Sequence, residues 1–169
     1  MSRISILVVF GLLTSAAFAQ REQPERTGEI YALASASGGS DIPGATSAGG
    51  FCIGGAWKPS ARLGLVADFS RHFASDAHAS FDTFTAGPRI ISREHNRLSG
   101  FVQVLTGGER STLAGQPADW NYVVAPGVGA DIRLTDNLVW RAVQVDLTLT
   151  QGPGLLRVST GLVFRFGSR

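Results

Sequence analysis

The sequence predicts an all-β fold in which eight antiparallel strands follow one another, up and down, around a barrel. Along eight stretches apolar side chains alternate with small or polar ones, which is the period of a β-strand. No stretch has the apolar spacing of an amphipathic helix of three turns. Turn residues separate the stretches at hairpin distances. The predicted strands span 29–37, 49–58, 61–71, 81–91, 98–107, 122–134, 138–150 and 155–166.

The residues before the first strand predict export from the cytoplasm. Arg3 precedes an apolar run at 4–13, and small residues occupy Ala17 and Ala19, as in a secretory signal peptide. The apolar run is shorter than the roughly 20 residues that a membrane-spanning helix needs, which disfavours the alternative of an uncleaved anchor. We therefore predict a signal peptide at 1–19, a polar lead at 20–28 and one β-barrel at 29–167.

Composition excludes some functions of the exported chain. The net charge of +2 is too small and too dispersed to favour nucleic acid. The single cysteine, Cys52, has no partner for an internal disulfide. It is interpreted as a small buried side chain, and the alternative is a reactive thiol.

The predicted links between strands differ in length with their position. Those after the second, fourth and sixth strands are short, whereas those after the first, third and fifth are longer, which is typical of outer-membrane barrels. The last link, 151–154, is short. The short links are 59–61, 92–97 and 135–137, and the long ones are 38–48, 72–80 and 108–121.

The two faces of the predicted strands decide which side meets solvent. In the third strand Leu63, Leu65 and Phe69 alternate with Gly64 and Asp68. A soluble barrel would bury the apolar face. The polar face, however, is rich in glycine and almost free of lysine and glutamate, which suits a narrow lumen where space is tight and charges must pair. The sequence therefore favours a transmembrane barrel with lipid outside and polar groups inside.

The polar face supplies the candidate functional residues. A closed network of salt bridges would plug the barrel, because eight strands leave an interior just wide enough for side chains. The alternative is a small pore or transporter lined with arginine. The predicted lumen residues are Arg62, Asp68, Arg89, Gln103, Asp131, Arg133, Gln144, Asp146, Arg157 and Arg165.

Four segments carry a resemblance to a known family. The chain resembles the small bacterial outer-membrane β-barrels of the OmpA/OmpX type, including the outer membrane protein beta-barrel domain family, over most of 27–167. The segments are AGPRI at 86–90, VGADIRL at 128–134, RAVQVDLTLT at 141–150 and LLRVSTGLVFRFG at 155–167.

The resemblance implies a role for the last strand. Barrels of this family end in a β-signal, which the assembly machinery recognises before the strand pairs with the first one. The signal combines a polar residue, a glycine and two aromatics in a fixed spacing. One departure is that Gly167, Ser168 and Arg169 follow the final aromatic, where the family usually ends. The matching residues are Ser159, Gly161, Phe164 and Phe166.

These observations predict a structural or interaction protein of the bacterial outer membrane in a Gram-negative cell. Its N-terminus and short turns would face the periplasm, and the long links 38–48, 72–80 and 108–121 would be displayed outside. The expected partners are outer-membrane lipid and the β-barrel assembly machinery, without nucleic acid, and the expected state is a monomer. No cofactor, metal site or enzymatic activity is expected. The spacing of His78 and Ser80 often arises by chance, so it does not indicate a catalytic pair. His95 lies in a predicted periplasmic turn, on the wrong side for an enzyme that acts at the outer rim. Modification of lipid A is the least favoured alternative.

Overall fold

The computed structural model describes residues 26–38, 47–74, 79–113, 118–150 and 154–167. The predicted signal peptide and most of the polar lead lie outside these residues. Among the described residues, no helix has the length and apolar character needed to cross a membrane. The strands are β1 Gly28–Gly38, β2 Ser47–Trp57, β3 Leu63–Ala74, β4 Ala79–Ile91, β5 Leu98–Leu113, β6 Asp119–Arg133, β7 Leu138–Thr148 and β8 Leu155–Phe166.

The strands form one closed antiparallel barrel in sequence order, which confirms the predicted fold class. Closure occurs between β1 and β8, where Gly28 pairs with Phe166 and Gly38 pairs with Leu156. Closure leaves no strand of the barrel at a free edge, which is the condition for placing β-structure in lipid. We call the end with Gly28 and Phe166 the lower rim and the opposite end the upper rim.

The predicted difference in link length is wrong. The lower-rim links are 58–62, 92–97 and 134–137, and the upper-rim links are 39–46, 75–78, 114–118 and 149–154, which are of similar length. The long predicted link 108–121 is mostly strand, because β5 continues to Leu113 and β6 begins at Asp119. Polar residues there suggested a loop, since a strand that extends past an apolar band no longer alternates between apolar and polar side chains.

The barrel is polar inside and apolar outside. In β3, Leu63 and Leu65 are 43% and 50% exposed, whereas Asp68 is 5% exposed. From the lower rim up to the level of Arg71, Asp82 and Arg110, the outward side chains of the described strands are uncharged. Thr106 and Thr160 lie on this outer face. The Thr106 hydroxyl donates to the carbonyl oxygen of Val123, and the Thr160 hydroxyl donates to that of Arg141. The apolar set therefore points outward, as the sequence predicted.

Aromatic and charged side chains border the apolar exterior above and below. Near the lower rim the exposed aromatics are Trp57, Trp140, Phe164 and Phe166, and near the upper rim they are Phe73, Trp120 and Tyr122. At the height of Trp120, Arg71, Asp82 and Arg110 form a row across β3, β4 and β5. Arg71 Nη2 donates to Asp82 Oδ2 at 2.7 Å. Aromatic girdles of this kind flank the apolar band of outer-membrane barrels.

A β-bulge in β7 changes which side chains enter the lumen. The pairing of β7 with β8 shifts between Arg141 and Gln144, and β6 has a matching shift at Ala130 and Asp131. Arg141 and Gln144 are both fully buried, although strict alternation would place them on opposite faces. The extra residue adds a second large polar side chain to one level of the lumen.

Replacing Gly161 by Ala is expected to weaken the closing seam. A Cβ at Gly161 would lie 2.7 Å from the Leu33 Cα and still closer to the Ala32 carbonyl oxygen, so the backbone of β1 would have to move. We expect a loss of about 1–3 kcal/mol, the usual range for overpacking. Urea unfolding in detergent micelles measures this loss. Gly49→Ala is the control, because a Cβ there meets no atom within 4 Å. Equal stability of the two variants would contradict the close approach at the seam.

Candidate functional site

The lower lumen contains a cluster of charges around Glu29, the second residue of β1. Arg89 Nη1 donates to Glu29 Oε1 at 2.9 Å, and Lys58 Nζ lies 3.1 Å from Oε2. Arg141 and Arg165 approach the same carboxylate at 3.7 and 3.5 Å. Burial lowers the pKa of Lys58 from its ordinary value, and the carboxylate of Glu29 opposes part of that shift. One carboxylate thus lies within 3.7 Å of cations from four separate elements.

Asp131 completes this cluster on the side of β6. Arg141 Nε and Nη2 donate to its two oxygens at 2.9 and 3.2 Å, which is a bidentate pair. Arg165 Nη2 donates to the same carboxylate at 3.3 Å. Asp131 therefore anchors Arg165, whose side chain lies nearer the rim and is 13% exposed.

Two aromatic rings lie in contact with the buried guanidinium groups. The Cζ atoms of Arg89 and Arg141 lie 4.3 and 4.5 Å from the centre of the Phe101 ring. The centre of the Tyr31 ring lies 4.9 Å from Arg141 Cζ. Cation–π contact supplements the salt bridges where water is excluded.

Asp146 is the hub of the middle lumen. Its Oδ2 accepts from Gln144 Nε2 at 2.8 Å and from Arg157 Nη2 at 2.9 Å. Its Oδ1 accepts from Gln103 Nε2 at 2.8 Å. Gln103 Oε1 in turn accepts hydrogen bonds from both Nε and Nη2 of Arg89, which links this hub to the lower cluster.

Arg157 joins the hub to Asp68 on the opposite wall. Its Nη1 donates to Asp68 Oδ1 at 3.2 Å, between β8 and β3. Asp68 Oδ2 accepts from the Tyr31 hydroxyl at 2.7 Å and from Cys52 Sγ at 3.0 Å. Cys52 has no exposed surface, which confirms the small buried side chain. The bonds of Arg157 and Tyr31 to Asp68 join strands that are not neighbours, so these side chains occupy the lumen.

The upper lumen is less densely bonded. Ser35 Oγ lies 2.8 Å from His72 Nε2, and Thr83 Oγ1 donates to Glu109 Oε2 at 3.2 Å. A cavity of about 20 Å³ lies here, lined by Ser70 and Arg157 among others. This volume is enough for one water molecule. The Ser70 hydroxyl is buried and makes no hydrogen bond within the described residues.

The structure brings together most of the predicted lumen residues. Two predictions are wrong. Arg62 is exposed in the lower-rim link, because β3 begins one residue after it at Leu63. Arg133, the last residue of β6, reaches out to Glu94 at 2.8 Å and to Asp136 at 3.7 Å, so its ion pairs lie at the rim. The predicted residues with buried side chains are Asp68, Arg89, Gln103, Asp131, Gln144, Asp146 and Arg157.

Two central residues were missed by sequence reasoning. Glu29 has the same parity as Tyr31 and Leu33 in β1, so alternation alone could have placed it inside. Arg141 has the parity of the outward Val143, and only the bulge turns it inward. No signal in the sequence marks that bulge.

The predicted β-signal residues lie along β8 on both of its faces. Ser159 is buried in the lumen, and Gly161 faces the same side next to the backbone of β1. Phe164 and Phe166 are 46% and 44% exposed in the lower girdle. Their recognition by assembly machinery stays a prediction.

A serine and a histidine lie within hydrogen-bond distance of each other in the lumen. Ser35 and His72 form a possible nucleophile and base, but each is more than nine-tenths buried inside the wall, away from any lipid substrate. Within the described ranges, no group of three or more histidine, cysteine or acidic side chains is arranged to hold a metal ion. His78 lies outside the described residues, and His95 is exposed in a lower-rim turn.

Comparison with known proteins supports the fold. No protein-family model and no curated protein matches the sequence. The N-terminal β-barrel domain of Pseudomonas aeruginosa OprF matches with a TM-score of 0.63 and 14% identity, over 85% of this chain and 100% of that one. Neisserial surface protein A matches with 0.58 and 16%, over 82% and 96%. Ail, the attachment invasion locus protein of Yersinia pestis, matches with 0.55 and 17%, over 86% and 100%. The chain therefore has the fold of small outer-membrane barrels.

Proposed function

We propose that the protein is an integral barrel of the bacterial outer membrane with a structural or interaction role and a lumen closed by its own side chains. One observation carries this proposal, which is the inverted polarity of the barrel. Arg89 and Arg141 are 1% and 0% exposed inside, while Leu65, Leu162 and their outward neighbours are about half exposed outside. Water would solvate the reverse arrangement better, whereas hydrocarbon favours this one.

The bonds across the lumen support a closed barrel over a pore. Arg157 joins β8 to β3, and Gln103 joins β5 to β7 through Asp146. An ion that entered would have to displace charge-assisted hydrogen bonds among groups that are almost fully buried. The cavity lined by Ser70 and Arg157 in the upper lumen is close to the volume of a single water molecule.

The orientation and assembly of the barrel follow from the same proposal. The periplasm would be faced by both ends of the barrel domain and by the three links of the lower rim. The upper-rim links would face the outside. The assembly machinery would recognise β8 through Phe164 and Phe166, and Gly161 would allow β8 to close against β1. Neither an enzymatic activity nor a cofactor is part of the proposal.

The proposal predicts that the folded protein inserts into lipid and does not conduct. Purified chain refolded into neutral vesicles should show heat-modifiable migration on gels, and its addition to planar bilayers should give no conductance steps. Heat-modifiable protein that produces stepwise conductance would replace the closed barrel with a selective pore. A change in lipid A mass on overexpression would instead indicate a modifying enzyme. A chain that stays soluble and folded without detergent or lipid would overturn the membrane assignment.

A further inference from the structure

The two rims of the barrel differ in their unpaired charge. At the lower rim Arg62, Arg93 and Arg97 are exposed, and none of them makes a side-chain hydrogen bond or an ion pair within the described residues. At the upper rim Arg71 and Asp82 form a bidentate pair, and Arg110 beside them makes no ion pair within the described residues. We call Arg62, Arg93 and Arg97 the lower-rim arginine arc.

Backbone hydrogen bonds hold the arc together over four strands. The amide of Ile91 donates to the Arg62 carbonyl at 2.8 Å, which brings the start of β3 beside the end of β4. The amide of Arg133 donates to the Arg97 carbonyl at 2.8 Å, which brings the end of β6 beside the β4–β5 turn. The three free guanidinium groups are thus borne on one side of the lower rim.

The arc lies directly below the apolar exterior. Three apolar side chains next to the arginine-bearing links are about half exposed. They are Leu63 at 43%, Ile90 at 49% and Leu98 at 51%. In a bilayer, a cation just beyond the apolar band is at the height of the lipid phosphates, where its stem can stay in the apolar region. Lipid headgroups are therefore the anions nearest to these side chains.

The backbone at Arg97 gives an independent reason to assign a role to its side chain. Asn96 and Arg97 form a two-residue hairpin turn with φ angles of 50° and 70°, between the paired residues His95 and Leu98. Turns of this type strongly favour glycine at the second position, because a Cβ is unfavourable at positive φ. Arginine is therefore the more strained choice at this tip, and strain of this kind is common where a side chain serves function.

We propose that the lower-rim arginine arc binds the headgroups of anionic phospholipids in the adjacent leaflet. The proposal rests on the membrane placement given above, which makes that leaflet the periplasmic one. Exposed arginines without acidic partners complement phosphate groups, which they can contact through two parallel hydrogen bonds. Attraction of one arginine to an anionic surface corresponds to a change of about fivefold in binding.

Lipid retention by native mass spectrometry tests this inference. The full barrel is refolded in vesicles of phosphatidylcholine and phosphatidylglycerol, released in neutral detergent, and its bound lipids are counted. We expect the native protein to retain phosphatidylglycerol in preference. Arg97→Gly should lower that preference by about fivefold, Arg97→Lys should largely keep it, and the triple change of Arg62, Arg93 and Arg97 to Gln should abolish it. Arg110→Gln removes the same charge at the upper rim and should leave the preference unchanged.

A stability measurement separates lipid binding from damage to the fold. Glycine relieves the positive φ at position 97, so Arg97→Gly should unfold at a higher temperature than the native protein in neutral detergent. If Arg97→Gly loses the preference for phosphatidylglycerol while its unfolding temperature rises, the result supports lipid binding by the arc. An unchanged preference in the triple variant, or an equal loss in Arg110→Gln, would overturn it. A native chain that fails to enter neutral vesicles would refute the membrane placement itself, and that outcome differs from insertion without lipid preference.

Discussion

Replacing Asp146 by Asn should destabilise the barrel by about 3–5 kcal/mol, the range for breaking a buried ion pair. The amide has nearly the shape of the carboxylate but no charge, so Arg157 keeps only Asp68 as a counterion. The amide nitrogen would also replace one acceptor oxygen, so it would face either the Gln103 donor or the donors of Gln144 and Arg157. Urea unfolding in neutral vesicles measures the loss of stability. Thiol labelling of Cys52 reports the unfolded fraction, because this sulfur is buried in the folded barrel.

A double-mutant cycle with Arg157→Met identifies the origin of the loss. If the two side chains interact directly, the double variant should lose less stability than the sum of the single losses. Additive losses would mean that the pair contributes little. An Asp146→Asn barrel with native stability would mean that water screens this carboxylate, which is what an open lumen would produce.

Replacing Leu162 by Arg should cost roughly 2–4 kcal/mol if the position lies near the bilayer midplane. Leu162 is 51% exposed on β8, and its neighbours on the adjacent strands are Ala32 and Trp140. An arginine there would enter hydrocarbon without a counterion on the outer face. The amount of heat-modifiable barrel in the outer membrane and urea unfolding in vesicles both measure the effect.

Thr112→Arg is the matched control for this prediction. Thr112 is exposed on β5 and lies nearer the upper rim than the charged row that contains Arg110. The same side chain should therefore cost little at this position. Equal stability of Leu162→Arg and Thr112→Arg would mean that the exterior of the barrel does not meet lipid, and a soluble barrel would replace the present proposal.

The functional assignment depends on the exterior and the lumen together. An apolar exterior alone would suit an aggregation-prone soluble protein, and a polar lumen alone would suit a ligand-binding barrel. The combination of aromatic girdles, an uncharged band and cross-lumen ion pairs suits a small membrane barrel. The lower-rim arginine arc adds a property that this combination does not require.

The number of strands, their order and their sidedness could be predicted from the sequence, because each depends on local alternation. In β8, for example, the parity of Leu162 and Ser159 is decided by the strand period alone. The same reasoning placed Asp68, Gln103 and Asp146 inside. Strand ends were less predictable where the chain leaves the apolar band, as at Leu113 and Asp119.

The pairing inside the lumen was decided only by the tertiary structure. Alternation could indicate that Arg157 points inward, but its contact with Asp68 depends on the stagger of strands that are far apart in the chain. The bulge in β7 turned Arg141 inward against its parity, and the start of β3 left Arg62 outside. A strand period determines the face on which a side chain lies. The closed register of all eight strands determines the height and the partner of that side chain, and no single segment contains that information.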